Sequence, residues 1–244
     1  MNRDISGLAA CLRIARLTRT RLLRGKVLWI SSIVGLVPVL MVLTLPLGEP
    51  DAGSWFELFD VLTVLLVVVP ALHLAPWLVE ELDERTYTYL WSRPLPRWTL
   101  LAGKLLGLFP FVLGVSALAL LATFLAMFGA GAGDFVDELQ GSLTAICLGV
   151  IGWSAIAIGI GGIVPRYATA TVIVYFMFLD TTLGGMPFSV QNLAVSFHMG
   201  EIQMAIARDT GDLSTSILWL LGLSAVWVSV AVWRVTRAEY STNG

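Results

Sequence analysis

Charge is what this sequence has least of. Only 13% of its 244 residues are Asp, Glu, Lys or Arg, whereas 57% are hydrophobic and the mean hydropathy is +0.83. A soluble domain carries about 25% charged residues, so the chain has roughly half the supply needed to cover a globule with water-compatible side chains. That excludes an ordinary water-soluble body, and lipid must be the solvent over most of the length. Cysteine is also scarce. Cys11 falls in a basic flank and Cys147 inside an apolar run, so a disulfide framework is excluded, and no C-x-x-C spacing offers a zinc site. The P-loop pattern G-x-x-x-x-G-K-[ST] is missing too: Gly103-Lys104 is followed by Leu and lacks the upstream glycine. No Gly-x-Ser-Gly of a rhomboid-type serine protease occurs, and no internal repeat or low-complexity tract is evident. A cleavable signal peptide is not expected, because the first apolar run begins near Val27, is too long, and lacks a small-residue cleavage pattern.

What is present is a set of six apolar runs, roughly 27–47, 58–79, 105–130, 139–164, 168–188 and 215–233. Each approaches the length of about 20 residues that crosses about 30 Å of hydrocarbon as a helix. They are continuously apolar rather than alternating, which excludes a closed β-barrel. The expected fold is therefore an all-α integral membrane protein with about six transmembrane helices.

Basic residues orient it. Arg3, Arg13, Arg16, Arg19, Arg21, Arg24 and Lys26 precede the first run, and Arg85, Arg93, Arg97 and Lys104 lie between the second and third. Arg166 follows the fourth, and Arg234 and Arg237 follow the sixth. With six crossings, all but Arg208 of the 15 Lys and Arg fall on one side, and Glu49, Asp51, Glu57, Asp134, Asp137 and Glu138 fall on the other. The positive-inside rule then puts both termini in the cytoplasm and the chain in the cytoplasmic membrane. The same rule accounts for the basic residues without nucleic acid. Trp29, Trp55, Trp77, Trp98, Trp219 and Trp233 fall near the ends of runs, where amphipathic rings favour the headgroup level.

The chain reads as one transmembrane domain, 1–244, with three parts that do not span. Residues 1–26 put Ile5, Leu8, Leu12 and Ala15 at helical spacing with Arg3, Arg13 and Arg24 off that stripe. This predicts an interfacial helix in which Leu8 and Leu12 enter the bilayer and Arg13 and Arg16 meet anionic headgroups. Residues 80–104 form a charged inner connection between runs 27–79 and 105–188. Residues 189–214 are too polar to span and suit an outer re-entrant or surface helical pair before the last run, 215–233, and the tail, 234–244. Small residues at i, i+4 predict close helix packing in lipid: Gly103 with Gly107, Ala155 with Gly159, and Ala157 with Gly161. Pro70, Pro76 and Pro110 are candidate kinks.

The inner connection carries the most information. It reads as an acidic cluster, Glu80, Glu81, Asp83 and Glu84, then a short helix with Tyr87, Leu90 and Trp91 on one apolar side, then a stop at Pro94 and Pro96. Such an amphipathic, charge-tipped helix between two spans is a surface on which a cytoplasmic partner can push.

Glu81, Glu84, Thr86, Leu90, Arg93, Pro94, Arg97, Gly103 and Lys104 form a pattern of acidic residues, Thr, a Leu-Ser-Arg-Pro-Leu-x-Arg stretch and Gly-Lys opening a span. In this pattern and in its layout the chain resembles the ABC-2-type permease family. The resemblance implies the membrane half of an ATP-driven exporter: two permease copies and two separate soluble P-loop ATPase subunits. ATP and Mg would sit on those partners, with no cofactor, metal or catalytic residue in this chain. It also implies that Glu81, Asp83, Glu84, Arg85, Thr86, Tyr87, Leu90, Arg93, Pro94 and Arg97 couple the permease to the ATPase. The spans show no dense polar lining, which favours an amphipathic or lipid-like cargo.

Two other functions compete. Glu80-Glu81-x-x-x-Arg85 matches the Glu-Glu-x-x-x-Arg of CAAX-type intramembrane proteases, but His73 and His198 stand in neither His-x-x-x-Asn/Asp nor Phe-x-x-x-His. Asp180, the only acidic residue well inside an apolar run, would mark a secondary transporter if it carried protons and a structural break if it did not. His198 with Glu201 at i, i+3 offers two metal ligands without a third.

Overall fold

The computed structural model describes residues 7–25, 27–44, 50–79, 98–187 and 189–237, and these are helical with no strand among them. We label the helices α1 (Gly7–Arg24), α2 (Val27–Thr44), α3 (Ala52–Leu66), α4 (Val68–His73), α5 (Trp98–Phe128), α6 (Val136–Ile163), α7 (Ala168–Val174), α8 (Thr181–Gly184), α9 (Val195–Arg208) and α10 (Leu213–Arg237). Four stretches are long and apolar enough to cross a membrane: Ala52–Trp77, Trp98–Ile163, Pro165–Gly184 and Leu213–Arg237. A fifth is added if α1 and α2, bent by 69°, form one broken span. The chain is a multi-pass membrane protein.

The 66-residue stretch Trp98–Ile163 is a hairpin. At one end Trp77 touches both arms, accepting from Lys104 on α5 and donating to Ile158 on α6. At the other, Trp55 packs on Phe124 of α5 and donates to Ser142 of α6. The arms are joined by a 3₁₀ turn, Gly129–Phe135, none of whose residues is buried.

Proline explains the broken helix between the two tryptophans. Pro70 cannot donate to the Leu66 carbonyl, and α3 ends at Leu66; Pro76 cannot donate to Leu72, and α4 ends at His73 before the 3₁₀ turn Ala75–Trp77. Pro110 stays inside the continuous helix α5, which neighbouring helices permit in a membrane protein.

α6 is the centre of the bundle. Every residue from Gly152 to Gly162 is buried, as expected of a helix with elements packed all round it. Its glycines set the approach distances. A Cβ on Gly149 would strike Met199 of α9, one on Gly159 would strike Trp227 of α10, and one on Gly161 would strike the Ala75 carbonyl. Small-residue packing of this kind is how helices associate where lipid removes the usual hydrophobic drive. By contrast α2 leaves Trp29, Ile30, Ile33, Leu36, Leu40 and Leu43 exposed.

These contacts define two ends. Lys104, Arg166, Arg234 and Arg237 gather with Trp77 and the C-terminus of α6, alongside the arginines of α1. Arg208, Asp51 and Asp212 gather with Trp55 and the N-terminus of α6. Four of the six tryptophans expected at headgroup level are exposed, Trp29, Trp98, Trp219 and Trp233. Trp55 and Trp77 are instead fully buried and hydrogen-bonded inside the bundle.

Candidate functional site

The expected coupling residues, Glu81, Asp83, Glu84, Arg85, Thr86, Tyr87, Leu90, Arg93, Pro94 and Arg97, all lie outside the described residues, as do Glu80 and Ile5. The two roots of that connection are described. The first ends in the 3₁₀ turn Ala75–Trp77; the second begins at Trp98, where α5 starts seven residues before the apolar run expected at 105.

The roots are bolted together. The Lys104 ammonium, 5% exposed, donates to the Trp77 carbonyl at 2.6 Å. A cation on a helix's last carbonyls is favoured by both the unpaired acceptor and the helix dipole. The Trp77 indole in turn donates to the Ile158 carbonyl at 3.1 Å, carrying the link into α6. Lys104, expected near the headgroups, is thus an internal tie. Above it, Ser31 of α2 and His73 of α4 share a hydrogen bond of 2.6 Å, and His73 packs edge-on against Phe111 of α5 at 4.9 Å. Both side chains are buried.

α1 runs parallel to the start of α5. Gly7 lies against Trp98 and Thr99, Cys11 and Ile14 against Gly103, and Ala15 and Thr18 against Gly107. A Cβ on Gly103 would come within 2.7 Å of Ile14, and one on Gly107 within 2.8 Å of the Ala15 carbonyl. The buried face of α1 is Ala10, Cys11, Ala15 and Leu22. Leu8 and Leu12 are 71% and 57% exposed, and Arg13 and Arg16 are exposed beside them. Of the apolar stripe expected in this helix, Ala15 packs on α5 and the two leucines face outward.

The far end holds a second constellation that the sequence only hinted at. The stretch Pro165–Gly184 is interrupted by a π-helical segment, Tyr175–Asp180. Asp180, 2% exposed, closes that segment, and its carboxylate accepts from the backbone N–H groups of Val195 at 2.8 Å and Ser196 at 3.0 Å. It therefore caps the N-terminus of α9 from another helix, which satisfies otherwise orphaned donors. α9 descends antiparallel to the first half of α6: Ala207 and Gln203 meet Gly141, Met199 meets Gly149, and Val195 meets Gly152. Ser142 joins three elements here, accepting from the Trp55 indole and the Gln203 amide, each at 2.8 Å, and donating to the Glu138 carbonyl. Trp55, Phe124, Phe128 and Phe135 form a contiguous aromatic cluster beside it.

His198 lies flat against Trp219 at 6.3 Å with its Nε2 bonded to the Asn192 carbonyl at 3.0 Å. Among the described residues no group of three or more His, Cys, Asp or Glu could hold a metal ion. Outside the bundle, Asp51 caps α3 through Ser54, which lowers its pKa. Asp212 holds the hydroxyls of Thr215 and Ser214 and the Thr215 N–H, which brings its pKa down to about 2.

Among known proteins, the family model described as ABC-2 family transporter protein matches residues 48–225. No curated protein matches the chain. The matched region holds both roots of the inner connection, the α5–α6 hairpin, the π-interrupted helix and α9, so the chain belongs to the ABC-2 transporter family and is a membrane permease.

Proposed function

We propose that this chain is the transmembrane subunit of an ATP-binding-cassette exporter, driven by ATP and Mg held on separate P-loop ATPase subunits. It crosses the cytoplasmic membrane six times, through α2, α3–α4, α5, α6, α7–α8 and α10, with both termini in the cytoplasm and α9 re-entrant from the outer face. Two copies form the translocation path for an amphipathic or lipid-like cargo. Residues 80–97 are the contact for the ATPase, with α1 as an interfacial helix beside it.

The observation that carries this reading is the tie between Lys104 and the Trp77 carbonyl, extended by the Trp77 indole to α6. A force applied to the 80–97 connection is delivered through both roots at once to α4, α5 and α6, and through Gly103 and Gly107 to α1. A loose connection would absorb the stroke locally. The proton-coupled alternative loses its candidate residue, since the Asp180 carboxylate is engaged by two backbone N–H groups.

The test has two arms. A Glu84→Cys permease should crosslink to a cysteine on the ATPase in the assembled complex. Lys104→Met should leave the complex assembled while lowering the cargo moved per ATP hydrolysed. Absence of any Glu84 contact in the assembled complex refutes the coupling assignment.

A further inference from the structure

We propose that the cytoplasmic half of α10 is a binding site for one anionic phospholipid. A shallow groove of about 440 Å³ on this helix is lined by Ala225, Val226, Ser229, Val230 and Trp233. Helical spacing makes its two walls explicit. Ala225, Ser229 and Trp233 recur every four residues along one wall, and Val226 and Val230 along the other. Continuing each row by four gives Arg237 and Arg234. The two arginines therefore follow the groove's lining residues at its basic end.

The two arginines differ in setting. The Arg237 guanidinium lies 5.9 Å from the centre of the Trp233 ring, held over the groove's last residue. The Nε of Arg234 is buried and has no hydrogen-bond partner among the described residues, and a buried donor left unmade costs free energy. A phosphodiester suits the forked geometry of the exposed Arg237 guanidinium. Below it, the groove from Ala225 to Trp233 is about 12 Å long, within the ~15 Å that one leaflet contributes to a ~30 Å hydrocarbon core. An acyl chain fits that length and its apolar lining, and a basic rim on the cytoplasmic side attracts anionic headgroups.

A second copy of the chain is the less suitable occupant. A two-fold axis along the membrane normal keeps every residue at the same depth in both copies. Pairing through this face would bring Arg234 and Arg237 of both copies together without a counter-charge. The assignment is independent of ATP and of the coupling segment, so failure here leaves the exporter reading intact, and the converse also holds.

The test is lipid retention by the purified full-length chain, measured by native mass spectrometry with equal phosphatidylglycerol and phosphatidylcholine. The wild type should retain one phosphatidylglycerol per chain in preference to phosphatidylcholine. R234Q/R237Q should weaken that retention roughly thirtyfold, from two basic contacts near the surface. S229W, which fills the groove and keeps both arginines, should weaken it as well; both variants should elute monodisperse, and R237Q alone, at the exposed end, guards against misfolding. Equal retention of the two lipids, or retention unchanged in S229W or R237Q, overturns the proposal. So does displacement of the lipid by inorganic phosphate alone, or a Ser229→Cys disulfide between two copies in native membranes.

Discussion

Replacing Asp180 with alanine should unfasten the N-terminus of α9 while leaving the rest of the bundle in place. The carboxylate accepts from Val195 N and Ser196 N at 2.8 and 3.0 Å in a position only 2% exposed. Without it two buried donors lose their partner, at about 1–3 kcal/mol each. Part of that is recovered because a buried carboxylate no longer has to be desolvated. The net loss should be about 2–3 kcal/mol, concentrated where α8 and α9 meet. Since about 1.4 kcal/mol is a factor of ten, amide exchange at residues 195 and 196 should accelerate by roughly thirtyfold to roughly 140-fold. Asp180→Asn keeps one acceptor oxygen and should fall midway. Exchange at the α5–α6 hairpin, which Asp180 does not touch, should not change. The assay is hydrogen–deuterium exchange read by mass spectrometry on peptides covering 189–208. If D180A exchanges at the wild-type rate there while remaining folded, the cap carries no energy and the reasoning fails.

Two further outcomes are expected. Gly107→Val should lift α1 from α5, because its Cβ would press on the Ala15 carbonyl at 2.8 Å, and overpacking costs about 1–3 kcal/mol. Cys11, 6% exposed, reports this directly: in a Cys147→Ser background its labelling by a maleimide should rise, and an unchanged rate would mean that α1 is not seated on the glycines. The Asp212 cap of α10 should show an acid dependence of definite sign. Its pKa is depressed from 3.8 to about 2 in the folded chain, so its contribution is present above about pH 4 and is lost as pH falls through 2. The difference in thermal midpoint between wild type and Asp212→Ala should therefore be constant near neutrality and close between pH 4 and pH 2.

Much of the architecture can be read from residue order because lipid is an exacting solvent. The apolar runs at 105–130, 139–164 and 215–233 lie inside α5, α6 and α10 apart from Gly129, Ala130 and Val164, and the described basic residues other than Arg208 collect at one end. The small residues at 103, 107, 159 and 161 are where helices meet. The contact face of α1 follows from the same solvent. Leucines drive packing in water, whereas lipid solvates Leu8 and Leu12 as well as protein does, leaving Ala10, Cys11 and Ala15 to make the close contact. Trp55 and Trp77 were hidden because a tryptophan near the end of a run looks alike whether its N–H meets a headgroup or a buried Ser142 or Ile158 carbonyl. Asp180 stood out as a carboxylate in an apolar run, yet its partners lie 15 and 16 positions away across a turn that periodicity does not describe. The coupling residues between Glu81 and Arg97 fall outside the described chain, so their pattern is carried by the resemblance alone.

The crowded axis formed by α6 has a practical consequence for watching this transporter work. A helix gripped on every side from Gly152 to Gly162 makes the natural origin for distance measurements, against which other parts can be timed. Probes cannot go on Gly149, Gly159 or Gly161, where even a methyl group collides, but Ile163 at the open end of α6 is 43% exposed. Paired with labels on the free flank of α2, one spectroscopic ruler would separate a rocking of the whole subunit from a stroke confined to its periphery.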